Sequence, residues 1–137
     1  MLRSASVPLW STWPARLGVG LAAGAAIACV DNLAFKGEVS PIIIVAMLLA
    51  ATAAAGAVWS GRGWATAAAT WACVPLAHLV KHVLGLPDTL HPNTYMSILY
   101  LAGFTLVVAI AGTACGVLVG RLATGAARHD SAGRTDT

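Results

Sequence analysis

Polar side chains break this chain in only a few places, and long runs of Ala, Gly, Leu, Val and Ile lie between the breaks. A helix needs about 20 mostly apolar residues to cross a hydrocarbon layer about 30 Å thick. Four windows meet that length, at about 17–34, 41–59, 64–84 and 95–120. The pattern predicts an all-α fold, an integral membrane bundle of four transmembrane helices within residues 1–120. The small, polar and charged stretch 121–137 reads as a disordered cytoplasmic tail.

The breaks carry their own punctuation. Trp10 and Trp13, with Pro8 and Pro14, suit an interfacial arm before the first span. Ser40-Pro41 reads as an N-cap followed by proline at the first helical position, where a missing N–H costs nothing. Ser60-Gly61-Arg62-Gly63, between Trp59 and Trp64, predicts a tight turn that makes spans two and three antiparallel neighbours. Pro75 predicts a kink in span three. Pro87 and Pro92 mark the next loop, and Asn93 or Thr94 caps the last helix.

Small residues at four-residue spacing predict where helices touch. Gly20 and Gly24 share one face of the first span, and Gly112, Gly116 and Gly120 share one face of the last. Without side chains these positions let two backbones approach closely, within one bundle or between copies of the chain.

Composition supports the membrane reading. The 137 residues are 58% hydrophobic and 9% charged, with a mean hydropathy of +0.80. A soluble fold has no means of hiding that much apolar surface. The net charge of +3 brings no basic stripe interleaved with aromatics, so no nucleic-acid partner is expected. The charge is better explained by orientation. Arg3, Arg16, Arg62, Arg121, Arg128 and Arg134 fall on one side of the four windows, and Lys36 and Lys81 on the other. Basic residues are retained on the cytoplasmic side, which places both termini and the Arg62 turn inside a multi-pass protein of the cell inner membrane.

The first window also imitates a secretory signal, ending in Ala26-Ile27-Ala28-Cys29. Ala26 stands where a lipoprotein site carries a larger aliphatic residue, so the window is read as a retained span. Cys29, Cys73 and Cys115 are odd in number and sit inside apolar windows, which fits packing better than a disulfide framework.

Chemistry concentrates at the end opposite the arginines. His78, Lys81 and His82, three and four apart, share a helical face. Asp31 and Asn32 close the first span, and Asp88 and His91 lie in the following loop. With Lys36 and Glu38 these groups form a polar cap. His78 and His82 have the spacing of a two-imidazole metal site, with His91 and Asp88 as further ligands, although Leu79 stands where a metalloprotease needs glutamate. The competing reading is interfacial: His and Lys in the last turn reach headgroups and the terminal carbonyls. Lys36 or Lys81 is the expected partner of Asp31. The indole of Trp71 needs an acceptor, for which the carbonyl freed by Pro75 is a candidate.

No nucleotide, nucleophile-elbow or paired-carboxylate motif is present, so no enzyme activity is expected. Three functional readings remain. The first is an oligomeric or accessory subunit of a membrane complex, packed through its small-residue faces. The second is a transporter of protons, metal ions or small solutes using the His78/His82 face. The third is an electron-transfer subunit holding a metal or haem.

Overall fold

The computed structural model describes residues 12–33, 41–88 and 90–133. The Ser40 cap, Lys36, Glu38, residues 1–11 and residues 134–137 lie outside the described residues. Four α-helices follow one another: α1 (Trp13–Leu33), α2 (Pro41–Trp59), α3 (Gly63–Val83) and α4 (Tyr95–Gly133). A 3-10 turn, Ser60–Arg62, joins α2 to α3. No strand occurs among the described residues.

Three stretches are long and apolar enough to cross a membrane: Trp13–Asn32, Ile42–Val83 and Tyr95–Ala126. The sequence pattern predicts four. The difference lies in the middle stretch, whose 42 residues take in α2, the 3-10 turn and α3 as one apolar run. Extended as a single rod it would measure about 63 Å, twice a hydrocarbon layer. It is instead folded back on itself at Ser60–Arg62. There Ser60 takes a left-handed φ of 49°, and Gly63 lies so close to Ala55 and Gly56 that no side chain fits between.

The glycine faces set the pairing of the helices. Gly20 packs on Thr66 and Gly24 on Thr70 and Cys73, while Gly112 packs on Leu49 and Thr52, Gly116 on Ala53 and Gly120 on Ala57. Both partners advance together in each series, so α1 runs parallel to α3, and α2 runs parallel to α4. A Cβ on Gly20 or Gly24 would stand 2.5 Å from a carbonyl oxygen of α3, nearer than any side-chain atom is tolerated. The α2–α4 contact is the most extensive in the molecule, followed by α1–α3; α1 and α2, neighbours in sequence, touch much less. The glycines expected to join helices therefore do so within one chain.

Ile27, Ile44, Leu48 and Val74 form the apolar centre. Thr52, Thr70, Thr105 and Thr113 are buried beside it. Each hydroxyl donates to the carbonyl four residues earlier, at 2.7–3.0 Å, so a polar group is satisfied without leaving its own helix. Thr70 Oγ1 also lies 3.1 Å from the Gly20 carbonyl of α1. Trp71 Nε1 donates across to Ala102 O and Thr105 Oγ1 of α4, both at 3.1 Å. These, and not the carbonyl freed by Pro75, are its acceptors. α3 runs through Pro75 without a break.

Two boundaries differ from expectation. α1 begins at Trp13, because Pro14 falls in the first turn, where it is tolerated. α4 continues past Gly120 to Gly133, where composition predicts disorder. Leu122, Ala123, Ala126 and Ala127 are good helix formers, and extending an existing helix avoids the cost of nucleation.

Candidate functional site: a charged cluster at the loop end

The end of α3 is shaped by one glycine. Gly85 takes a left-handed φ of 65°, Gly85 N–H donates to His82 O at 3.3 Å, and Leu86 N–H donates to Lys81 O at 2.9 Å. This pair of bonds closes the helix in the Schellman manner and reverses the chain. Asp88, three residues on, returns to the last turns of α3. Thr94 then caps α4, accepting from Ser97 N–H at 3.2 Å, as the sequence predicts.

His78 is the centre of the site. Its Nδ1 faces Asp88, 2.8 Å from Oδ1 and 3.0 Å from Oδ2. Its Nε2 lies 3.0 Å from Asp31 Oδ2 at the end of α1. That second contact is at ion-pair distance but off hydrogen-bond alignment, since among the described residues the buried Asp31 Oδ2 has no aligned donor. Lys81 Nζ sits 3.7 Å from Asp88 Oδ1 and donates to Asn32 Oδ1. Asn32 Nδ2 in turn donates to Ala28 O at 2.6 Å. The side chains of His78 and Asp88 are 5% and 1% exposed. Helix α1, helix α3 and the loop after it are thereby tied at one point, about 8 Å along α3 from its last residue.

Proton arithmetic limits the states of this cluster. A neutral imidazole has one N–H and an ionised carboxylate has none. With a carboxylate facing each ring nitrogen, either the ring is an imidazolium or one of the acids carries the second proton. With both acids ionised and both bases charged, Asp31, Asp88, His78 and Lys81 sum to zero.

Of the residues singled out from sequence, the structure gathers Asp31, Asn32, His78, Lys81 and Asp88, with Asn32 as a bridge. It separates the other two histidines. His82 turns toward the start of α4, its ring 4.4 Å from that of Tyr95 in an edge-to-face arrangement. Successive helical residues differ by about 100°, which sends Lys81 toward α1 and His82 toward α4. His91 is exposed in the loop. The pairing of His78 with His82 as metal ligands does not form. The two nitrogens of His78 point at carboxylates on opposite sides of the ring, so the donors converge on no common point. Among the described residues no three His, Cys, Asp or Glu side chains are grouped to hold a metal ion. Cys29, Cys73 and Cys115 are all free thiols.

Among the described residues the partner of Asp31 is a histidine, where sequence reasoning favours Lys81 or Lys36, the latter outside the described residues. Nothing along one helix reveals its register against another, and that register decides the pairing. A signal was nonetheless present: Gly20 and Gly24 on α1, and Asp31 at its end, recur at the spacing that Thr66, Thr70 and His78 follow on α3 to within one residue.

No protein-family model matches the chain, and no curated protein or solved structure matches it.

Proposed function

We propose that this chain is a four-pass protein of the cytoplasmic membrane, with both termini and the Ser60–Arg62 turn inside, and that it moves protons through the Asp31–His78–Asp88 cluster. The fold-back at Ser60–Arg62 supports four crossings, and Arg16, Arg62 and Arg121 all lie toward the turn end while Lys81 lies at the loop end.

The carrying observation is an imidazole held between two carboxylates at the loop end of a bundle of apolar helices, with His78 and Asp88 buried there. Burying charges is costly, and a bundle under no other demand is as stable with apolar residues at those places. Ionisable groups among membrane helices, facing inward and paired with one another, are characteristic of proton relays and ion paths. Polar groups continue from His78 toward the turn end along the α1–α3 interface. Cys73 Sγ lies 3.4 Å from Ala69 O, Thr70 Oγ1 touches both helices, and the buried Thr66 Oγ1 has no hydrogen-bond partner. Arg16, itself buried, stands at the end of this line.

The test is proton flux in liposomes carrying the purified protein and an internal pH dye, driven by an imposed potassium diffusion potential. Wild-type protein acidifies the interior faster than protein-free vesicles, His78→Gln and Asp88→Asn return the rate to background, and His82→Ala retains it. A wild-type rate equal to that of empty vesicles overturns the proposal, as does full activity in a folded His78→Gln protein.

A second reading, an accessory subunit, keeps one specific support. The glycine faces that suggested it are occupied within the chain, but α4 continues beyond the end of α2, with residues 121–126 exposed. A helical extension on the inner side offers a partner a surface that the bundle itself does not use.

A further inference from the structure

Small residues leave a furrow beside the charged cluster. Ala25, Ala28 and Cys29 of α1 face Cys73, Ala77 and Val80 of α3 across a groove of about 570 Å³. It opens laterally, on the side where the helices meet their surroundings, and not into the bundle centre. From Lys81 down to Cys73 it runs about 12 Å along α3. Its walls are almost wholly apolar, except at the loop end, where Asn32 and Lys81 close it.

We infer that this groove binds one acyl chain of an anionic lipid, with the phosphate of its headgroup on Lys81. The argument is one of matching ends. Lys81 lies in the last turn of α3, at the depth where long basic side chains reach headgroups. An ammonium has three N–H donors; Asn32 Oδ1 takes one and Asp88 lies on another side, and the 21% exposure of the side chain leaves an approach for a further acceptor. Asn32 Oδ1 accepts from Lys81 and its Nδ2 donates one N–H to Ala28 O, so the charged donor at the mouth belongs to the lysine. Below it, alanines and cysteines make a channel that a flexible chain fills and a bulky side chain would not. The similar groove between α3 and α4, lined by Trp71, Pro75, Leu79 and Leu99, has no charged group at its mouth. It serves as the internal comparison: both grooves accept hydrocarbon, and only one has a reason to select the headgroup.

The inference stands apart from proton movement at His78, and its test does not measure flux. Purified protein is equilibrated with mixed micelles of phosphatidylglycerol and phosphatidylcholine at equal amounts, and the lipid that remains bound is identified by native mass spectrometry. Wild-type protein retains a single phosphatidylglycerol with about tenfold preference over phosphatidylcholine, because both lipids offer a phosphate but the choline cation opposes the Lys81 ammonium. Lys81→Gln brings the preference to near parity. Ala25→Leu, at an exposed position that fills the groove without entering the core, removes the selective retention of phosphatidylglycerol, and Ala72→Leu in the other groove leaves the preference intact. Equal retention of the two lipids by wild-type protein overturns the inference. So does an unchanged preference in Ala25→Leu, which also separates specific seating in the groove from general attraction of the surface for anionic lipid.

Discussion

At the scale of single residues, His78 is the position where most is at stake. Its ring separates two acids that would otherwise face each other across a buried space, and removing one member of such a set leaves uncompensated charge. His78→Ala is expected to cost about 3 kcal/mol in unfolding free energy, measured by steric trapping in bicelles. The variant combining Asp31→Asn, His78→Gln and Asp88→Asn, which keeps the shapes and discards the charges, is expected to recover most of the loss. A triple variant as unstable as His78→Ala would mean that packing, not charge, fixes the cluster. Trp71→Phe removes a donor shared by Ala102 O and Thr105 Oγ1, and is expected to cost about 1 kcal/mol in the same assay. At this scale the sequence was partly legible. Residue type and depth marked His78, Lys81, Asp31 and Asp88 as members of one polar end. The assignment of His82 to the same site failed because a shared helical face is about 100° wide, enough to send adjacent residues to different neighbours.

Helices pair here through glycines whose importance differs by position. Gly116 lies against the backbone of Ala53, and any Cβ there forces α2 and α4 apart, whereas Gly103, on the same helix, has nothing within 4 Å of a Cβ. Gly116→Ala is therefore expected to lose about 2 kcal/mol through overpacking. Gly103→Ala is expected to hold or slightly raise stability, since alanine is the better helix former. Equal effects at the two sites would refute the close approach of α2 and α4. Sequence spacing identified these glycines as contact points and the ends of α2 and α3 to within a residue or two, because turn chemistry and four-residue periodicity are local. It left open whether the partner was another copy. That answer depends on which helices lie side by side, a property of three dimensions that Gly112, Gly116 and Gly120 share with every similar stripe.

For the whole molecule the decisive question is whether, and how often, the chain crosses a bilayer. Three exposed positions report on it without disturbing packing: Gly61 and Gly125, where an added methyl meets only open space, and Leu86 in the loop after α3. In a background lacking Cys29, Cys73 and Cys115, Gly61→Cys and Gly125→Cys are expected to react with an impermeant maleimide from the cytoplasmic side only, and Leu86→Cys from the opposite side only. Reaction of Gly61→Cys from the same side as Leu86→Cys would rule out the four-pass arrangement. The apolar windows and the sorting of arginine from lysine are what bring this arrangement within reach of composition alone. The helical continuation to Gly133 was not, because the charge and small polar residues that signal disorder are also compatible with a helix already begun upstream.

The parallel pairing of α1 with α3 and of α2 with α4 has a consequence for biosynthesis. In the proposed membrane arrangement the first half of the chain emerges from the ribosome with the Gly20 and Gly24 face of α1 exposed and its complement on α3 still untranslated, so the early hairpin waits in lipid until the later one arrives to interlock with it. Severed at the Ser60–Arg62 bend, the two hairpins would each be incomplete alone, and co-expressed they would be expected to reassemble like the teeth of a zip.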